Sequence, residues 1–193
     1  MPTPEGESQA VSLDIEANRA AAKYTRGELL LRVLWVPGGL LFRLIPRPFF
    51  GARRLLLRLF GARVGRDVHI YPSATIYLPW CLDIGHRSAI GEGAYIYNLG
   101  KVSIGERATI SHKAHLCAGT HDYADPSLSL IRSEIVIDDD AWICADAFVG
   151  PGVHVGRGAV VGARAVAVKN VDDWSVVAGN PARHVKQRQF RAS

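Results

Sequence analysis

Aliphatic residues recur every six positions through the second half of the chain, at Ile137, Ile143, Val149, Val155 and Val161. Small residues follow several of them directly, at Cys144, Gly150, Gly156 and Gly162. Further small or branched residues fall at Ala141, Ala147, Val153, Ala159 and Ala165. Six is neither the helical period of 3.6 nor the strand period of two. It is a hexapeptide repeat, the mark of a parallel β-helix. Three hexapeptides make one three-sided coil. Each aliphatic points inward and stacks on its counterpart 18 residues away, and the small residue after it lets the chain round a corner. One coil cannot bury its own core, so several must stack.

The same period runs upstream. Val64, Ile70 and Ile76 are six apart; after a two-residue slip come Ile84, Ile90, Ile96 and Val102, and after another Ile104, Ile110 and Leu116. The pattern predicts an all-β solenoid over residues 62–168. It breaks between Leu116 and Ile137, read here as 21 residues in place of 18, with a loop over 117–134. Pro79-Trp80-Cys81 falls in the first slip and predicts a bulge at a corner.

The flanks do not follow the repeat. Residues 1–12 read as a disordered N-terminus. Residues 13–61 read as a basic, apolar and partly helical arm. Its first helical stretch, 13–35, is broken by Pro37-Gly38-Gly39, and Gly51 to Phe60 is a further short helix. Residues 169–193 leave the period and are expected to fold back over the last coil, ending in a basic strand or helix near Arg191.

Charge is uneven along the chain. Nine arginines lie between Arg26 and Arg66 against the single acid Glu28, so that stretch carries +8 and the rest of the chain −3. Two uses fit: covering the open end of the solenoid, or lying on an anionic membrane surface. Arg32, Arg43, Pro37 and two glycines make residues 29–45 a poor transmembrane helix. No nucleic-acid-binding motif accompanies the arginines, so no nucleic acid is expected as a partner. Cys81, Cys117 and Cys144 are odd in number and lack metal-ligand spacing, which fits free thiols in a reducing compartment. Met1 to Glu16 does not read as a signal peptide. A cytoplasmic protein is expected, with a peripheral place at the inner face of the membrane if residues 26–66 contact lipid.

Chemistry is expected at the interruption, since loops inserted into a regular scaffold carry function. It reads Cys117-Ala118-Gly119-Thr120-His121-Asp122-Tyr123. Three chemistries are open there: His121 as a general base, a metal site from His112, His115 and His121 or with His86, and Cys117 as a nucleophile.

Thr120-His121-Asp122 before an excursion, Ala141-Trp142-Ile143 at the return to the repeat, and the ending Ala178-Gly179-Asn180-Pro181-Ala182-Arg183 together resemble the sugar O-acetyltransferases of the left-handed β-helix superfamily. Pro46-Arg47-Pro48, the run Leu56 to Ala62 and His69-Ile70-Tyr71-Pro72-Ser73 resemble the colanic-acid biosynthesis subgroup. The likeness covers about residues 26–188. It implies a left-handed coil, a homotrimer with sites between subunits, acetyl-CoA as donor, a sugar or lipid-linked saccharide acceptor, and no metal requirement. By position it makes His121 the catalytic base and puts Ala145 and Ala163 along the pantetheine arm. Lys169, Arg183 and Lys186 fall near the coenzyme's phosphates, Trp142 is an aromatic lining the site, and Asn98 and Asp122 are acceptor contacts. Val168 departs from the pattern, standing where many relatives have a Thr before the Lys. The alternatives are a structural solenoid without activity and a metal-dependent carbonic anhydrase-like hydratase.

Overall fold

The computed structural model describes residues 12–190; the expectation of disorder over 1–12 lies almost wholly outside them, as does Arg191. Strands of two or three residues stack in parallel on three faces. Face I holds Arg63–Val64, Leu82–Ile84, Val102–Ile104, Ile135–Ile137 and His154–Val155. Face II begins with His69–Ile70, Ala89–Ile90, Thr109–Ile110, Trp142–Ile143 and Val160–Val161, and face III runs from Thr75–Ile76 to Val166–Ala167. The inward column of face II, Ile70, Ile90, Ile110, Ile143 and Val161, is fully buried. Burying a Val or Ile side chain contributes about 1.5–3 kcal/mol. Ala74, Ala94, Ala114, Ala147 and Ala165 fill the narrow space at one corner. At another, a Cβ on Gly85 would lie 2.5 Å from the backbone of Gly105 in the next coil, so the stack there requires glycine.

Coil length is not uniform. Val64 stacks on Ile84 and Ile84 on Ile104, but Ile104 stacks on Ile137, and Ile137 on Val155. The interruption is therefore larger than the expected 21-for-18 exchange. The step from face III to face I takes eight residues at Ile76 to Ile84 and at Ile96 to Ile104, and 21 at Leu116 to Ile137. Every slip falls at this one corner, III–I. Pro79–Cys81, expected as a bulge, is a turn of 3₁₀ helix there.

Beyond Val168 the ladder continues further than the sequence pattern indicated. Val171 bridges to Val155, and Ser175–Ala178 pairs in parallel with Val160–Val161 before Arg183–Gln187 returns antiparallel. This last coil is shorter, with Val161 stacking on Val177, so the six-residue spacing is lost although the coil is not.

Three helices precede the solenoid: α1 (Ile15–Ala20), α2 (Arg26–Leu44) and α3 (Phe50–Leu59). Pro37-Gly38-Gly39 does not break α2, contrary to the sequence expectation. Proline removes one helical hydrogen bond, and here the residue four earlier, Val33, lies on the exposed side of the helix. Glycine at 38 is needed for packing: a Cβ would sit 2.8 Å from the Trp35 ring and 2.9 Å from the Phe60 ring. Trp35 Nε1 donates to Ile76 O at 3.0 Å, fixing α2 to the first coil.

The arginines of α3 are largely consumed by capping. Arg53 is fully buried and donates from Nε to Ile70 O at 2.6 Å, and to the carbonyls of Ile45, Pro46 and Arg47. Arg54 donates to Val68 O, and Arg58 to Val64 O and Gly65 O. The end coil has no strand below it to satisfy the carbonyls of Val64, Val68 and Ile70, and the guanidinium groups take that part, while Arg53 also holds the turn between α2 and α3. Among the described residues, no helix is long and apolar enough to cross a membrane.

Candidate active site

The 21-residue excursion forms an antiparallel hairpin, Gly119–His121 against Leu130–Arg132, projecting from corner III–I. His121 is exposed near its tip. His121 Nδ1 lies 2.6 Å from the carbonyl of Leu128, which can only accept, so Nδ1 carries the proton and donates. In the neutral imidazole this puts the lone pair on Nε2, the form a general base needs.

The turn that presents Leu128 is tightly held. The Asp125 carboxylate accepts from the Ser127 N–H at 2.9 Å, the Ser127 hydroxyl at 2.8 Å and the Ser129 N–H at 3.3 Å. These donors hold its pKa down to about 2. Asp122 Oδ1 accepts from the Ala124 N–H at 2.9 Å, so one of its oxygens is engaged in the turn. Arg132 Nη1 pairs with Glu28 Oε1 at 2.6 Å, tying the hairpin base to the start of α2. Glu28 also accepts from the Thr25 backbone N–H, which completes a capping box, and the Arg132 hydrogen bond is the main reason its carboxyl stays below the usual range. The Thr25-x-x-Glu28 spacing was a readable helix-start signal, but nothing local announces that Glu28 reaches Arg132.

The other candidate residues sit elsewhere. Ala145 and Ala163 stack in successive coils, with Arg164 N donating to Ala145 O at 2.9 Å. They follow Ile143 and Val161 of face II, which puts them at corner II–III and not at III–I. This alanine pair and His121 of one chain are therefore separated by the width of face III. Lys169 and Arg183 line one cleft of about 310 Å³ beside the last coil, together with Asn170 and His184. Lys186 lies exposed on the antiparallel Arg183–Gln187 strand. Trp142 is 44% exposed on face II and donates from Nε1 to Ser111 Oγ at 2.8 Å, so its indole plane is fixed.

Asn98 requires a correction: it is fully buried rather than on the acceptor surface. Its Oδ1 accepts from the N–H groups of Tyr77 and Leu78 at 3.1 and 2.9 Å, and its Nδ2 donates to Leu78 O. A polar side chain in this eight-residue corner satisfies backbone that has left the ladder.

The histidines offered as metal ligands are dispersed. His86 Nδ1 accepts from Arg66 N in a turn between faces I and II. His112 lines a cleft on face II with Arg47 and Glu92. His115 belongs to an aromatic column on face III, with ring centroids 4.9 Å from Tyr95 and 5.2 Å from Phe148, and burial lowers its pKa. Among the described residues, no three of His, Cys, Asp and Glu come together as a ligand set. Cys117 Sγ faces the carbonyl of Gly119 at 3.3 Å, and all three cysteines are free.

The solved structures that match share the fold. The hexapeptide-repeat acetyltransferase VCA0836 of Vibrio cholerae superposes with a TM-score of 0.80 at 21% identity, covering 91% of this chain and 99% of that one. A galactoside acetyltransferase in complex with coenzyme A superposes equally well, over 91% of this chain and 89% of its own, at 21% identity. No family model matches the sequence. WcaF of Escherichia coli K12, which carries the name of a colanic acid biosynthesis acetyltransferase, is 38% identical over 158 residues, 82% of this chain and 87% of WcaF. A Mycobacterium tuberculosis protein named as an acetyltransferase, Rv3034c, is 31% identical over 133 residues, 66% of this chain and 44% of its own. The fold is thus that of the hexapeptide-repeat acetyltransferases. The chain belongs to the colanic acid biosynthesis acetyltransferase family among them.

Proposed function

We propose that this enzyme moves an acetyl group from acetyl-CoA to a sugar hydroxyl of a cell-surface glycan precursor, with His121 as the base. The observation that carries the reading is the Nδ1–H bond of His121 to Leu128 O, which reserves Nε2 of the neutral ring as the acceptor on an exposed hairpin. The acceptor hydroxyl gives its proton to Nε2 as its oxygen bonds to the thioester carbonyl carbon. Backbone N–H groups hold the resulting oxyanion. The intermediate collapses with cleavage of the C–S bond, and the proton passes from His121 to the departing CoA sulfur. Ala145 and Ala163 offer a corner without bulky side chains for the pantetheine arm, and Lys169, Arg183 and Lys186 offer charge for its phosphates.

The separation of the base at corner III–I from the alanine track at corner II–III supports a homotrimer in which one chain supplies each. A Thr does not precede Lys169, so no hydroxyl acts there. Mixing His121→Ala and Ala163→Trp chains tests this at acetyl-CoA well below the raised KM of Ala163→Trp: hybrid trimers recover turnover above the sum of the two parents, and no recovery would point to sites within single chains.

The acceptor class is a sugar, and a lipid-linked saccharide at the inner membrane face is the finer reading. Its support is the outward side of α2, where Leu30, Val33, Val36 and Leu44 are 61–74% exposed. Arg26 is exposed at the start of α2, while Arg53, Arg54 and Arg58 are committed to the cap. The full chain should float with anionic liposomes and the Leu30→Glu/Val33→Glu variant should not. A screen of acceptor sugars with labelled acetyl-CoA tests the reaction itself; acetyl transfer to none, with no acetyl-CoA binding, would return the chain to a scaffold role.

A further inference from the structure

The N-terminal helix α1 and its cap are hydrogen-bonded to the hairpin turn. The Asp14 N–H donates to Pro126 O at 2.8 Å. Asn18 Nδ2 donates to Ser127 O at 2.6 Å and to Leu128 O at 2.9 Å. Its Oδ1 accepts from Lys23 Nζ at 2.8 Å, so the carboxamide has one orientation, with its donors toward the turn. More than a hundred residues separate these partners in sequence.

Leu128 O is thus shared. One lone pair receives Asn18 Nδ2 at 2.9 Å and the other His121 Nδ1 at 2.6 Å. Leu128 also has a positive φ of 49°, a region that branched side chains seldom adopt, so the turn needs support to stay there. Asp125 braces this turn from within and Asn18 from outside. The carbonyl that selects the tautomer of His121 therefore depends on a side chain from a different part of the chain.

We infer that Asn18 is a positioning residue for the reaction: through Leu128 O it holds His121 in the Nδ1–H tautomer with Nε2 facing the acceptor. This rests on His121 being the base. A carbonyl fixed by two donors cannot rotate away when the imidazole becomes protonated, so the imidazolium formed during transfer keeps its partner. Removing the outer partner of a metal-bound histidine typically costs about 10- to 100-fold, and a histidine base oriented in the same way is expected to respond on that scale. An effect at the lower end is expected here, because Asp125 still braces the turn. Acetyl-CoA binding, assigned to a different corner, should be untouched.

The test uses the full-length protein and two readouts. Nitrogen-15 histidine spectra of the wild type, assigned by comparison with His121→Ala, should show His121 as the Nδ1–H tautomer. An Nε2–H tautomer would overturn the inference without any variant at position 18. Asn18→Asp removes the donors at constant size; it should lower kcat about tenfold with KM for acetyl-CoA unchanged, and shift His121 toward a tautomer mixture. Asn18→Gln, which keeps the donors, should recover part of kcat. An unchanged kcat in Asn18→Asp, or a loss of kcat with the tautomer intact, would overturn it. If His121→Ala itself retains turnover, the base assignment fails; if only the Asn18 result fails, the base stands and the brace does not.

Discussion

Two corners of the same prism behave in opposite ways. At corner II–III the chain takes six residues in every coil, from Ile70 to Ile76 up to Val161 to Ala167. At corner III–I it takes eight, eight, 21 and six residues in turn, then four from Ala167 to Val171. The constant corner stacks backbone on backbone and presents Ala145 and Ala163 as a smooth edge. The variable corner leaves the ladder, buries Asn98 to satisfy it, and projects the hairpin with His121. An extra residue at one corner costs little provided the inward columns stay in register, so all length variation collects where it does not disturb them. A straight edge suits an extended coenzyme arm; an elaborated corner suits a base that must be placed by its own hydrogen bonds.

The largest break expected in this contrast is at the variable corner. His121→Ala should lower turnover by about a hundred- to ten-thousand-fold, with acetyl-CoA binding by calorimetry retained; turnover near wild type would remove the hairpin from the chemistry. Next is the shared core. Ile143→Ala empties part of a fully buried column and should reduce unfolding free energy by about 2–5 kcal/mol in denaturant titration. A much smaller loss would mean the columns do not enforce register. At the constant corner, Ala163→Trp should raise KM for acetyl-CoA by about tenfold or more with kcat little changed once saturated. A fall in kcat alone would contradict a binding role for that edge.

Acid should act on the variable corner selectively. The Asp125 carboxyl has its folded pKa lowered to about 2 by the Ser127 and Ser129 donors. Its contribution to the turn is therefore complete above the ordinary carboxylate value of about 4 and is lost as pH falls toward 2. Amide shifts of Ser127 and Ser129 should move over that window and stay flat from pH 5 to 7; movement near neutrality would implicate a different group. The smallest effect is expected for Cys117→Ala, which should leave turnover close to wild type. A large loss would favour a route through an acetylated cysteine.

The hexapeptide spacing by itself determined the solenoid, its inward residues and the place of the interruption, because each coil repeats a local rule that six residues make one side. His121 was legible as a candidate for the same reason: it stands where the rule stops. Spacing could not size the interruption, since a corner tolerates extra length and leaves no periodic trace of it. Nor could it see that Asn98 is turned inward, that α2 runs through Pro37, or that α3's arginines cap carbonyls, because each depends on neighbours distant in sequence. The same holds for Glu28 with Arg132 and Asn18 with Leu128, pairs separated by over a hundred residues. Local periodicity encodes a scaffold made of repeats. The hydrogen-bond partner and aim of one histidine are set by contacts that only the folded chain brings together.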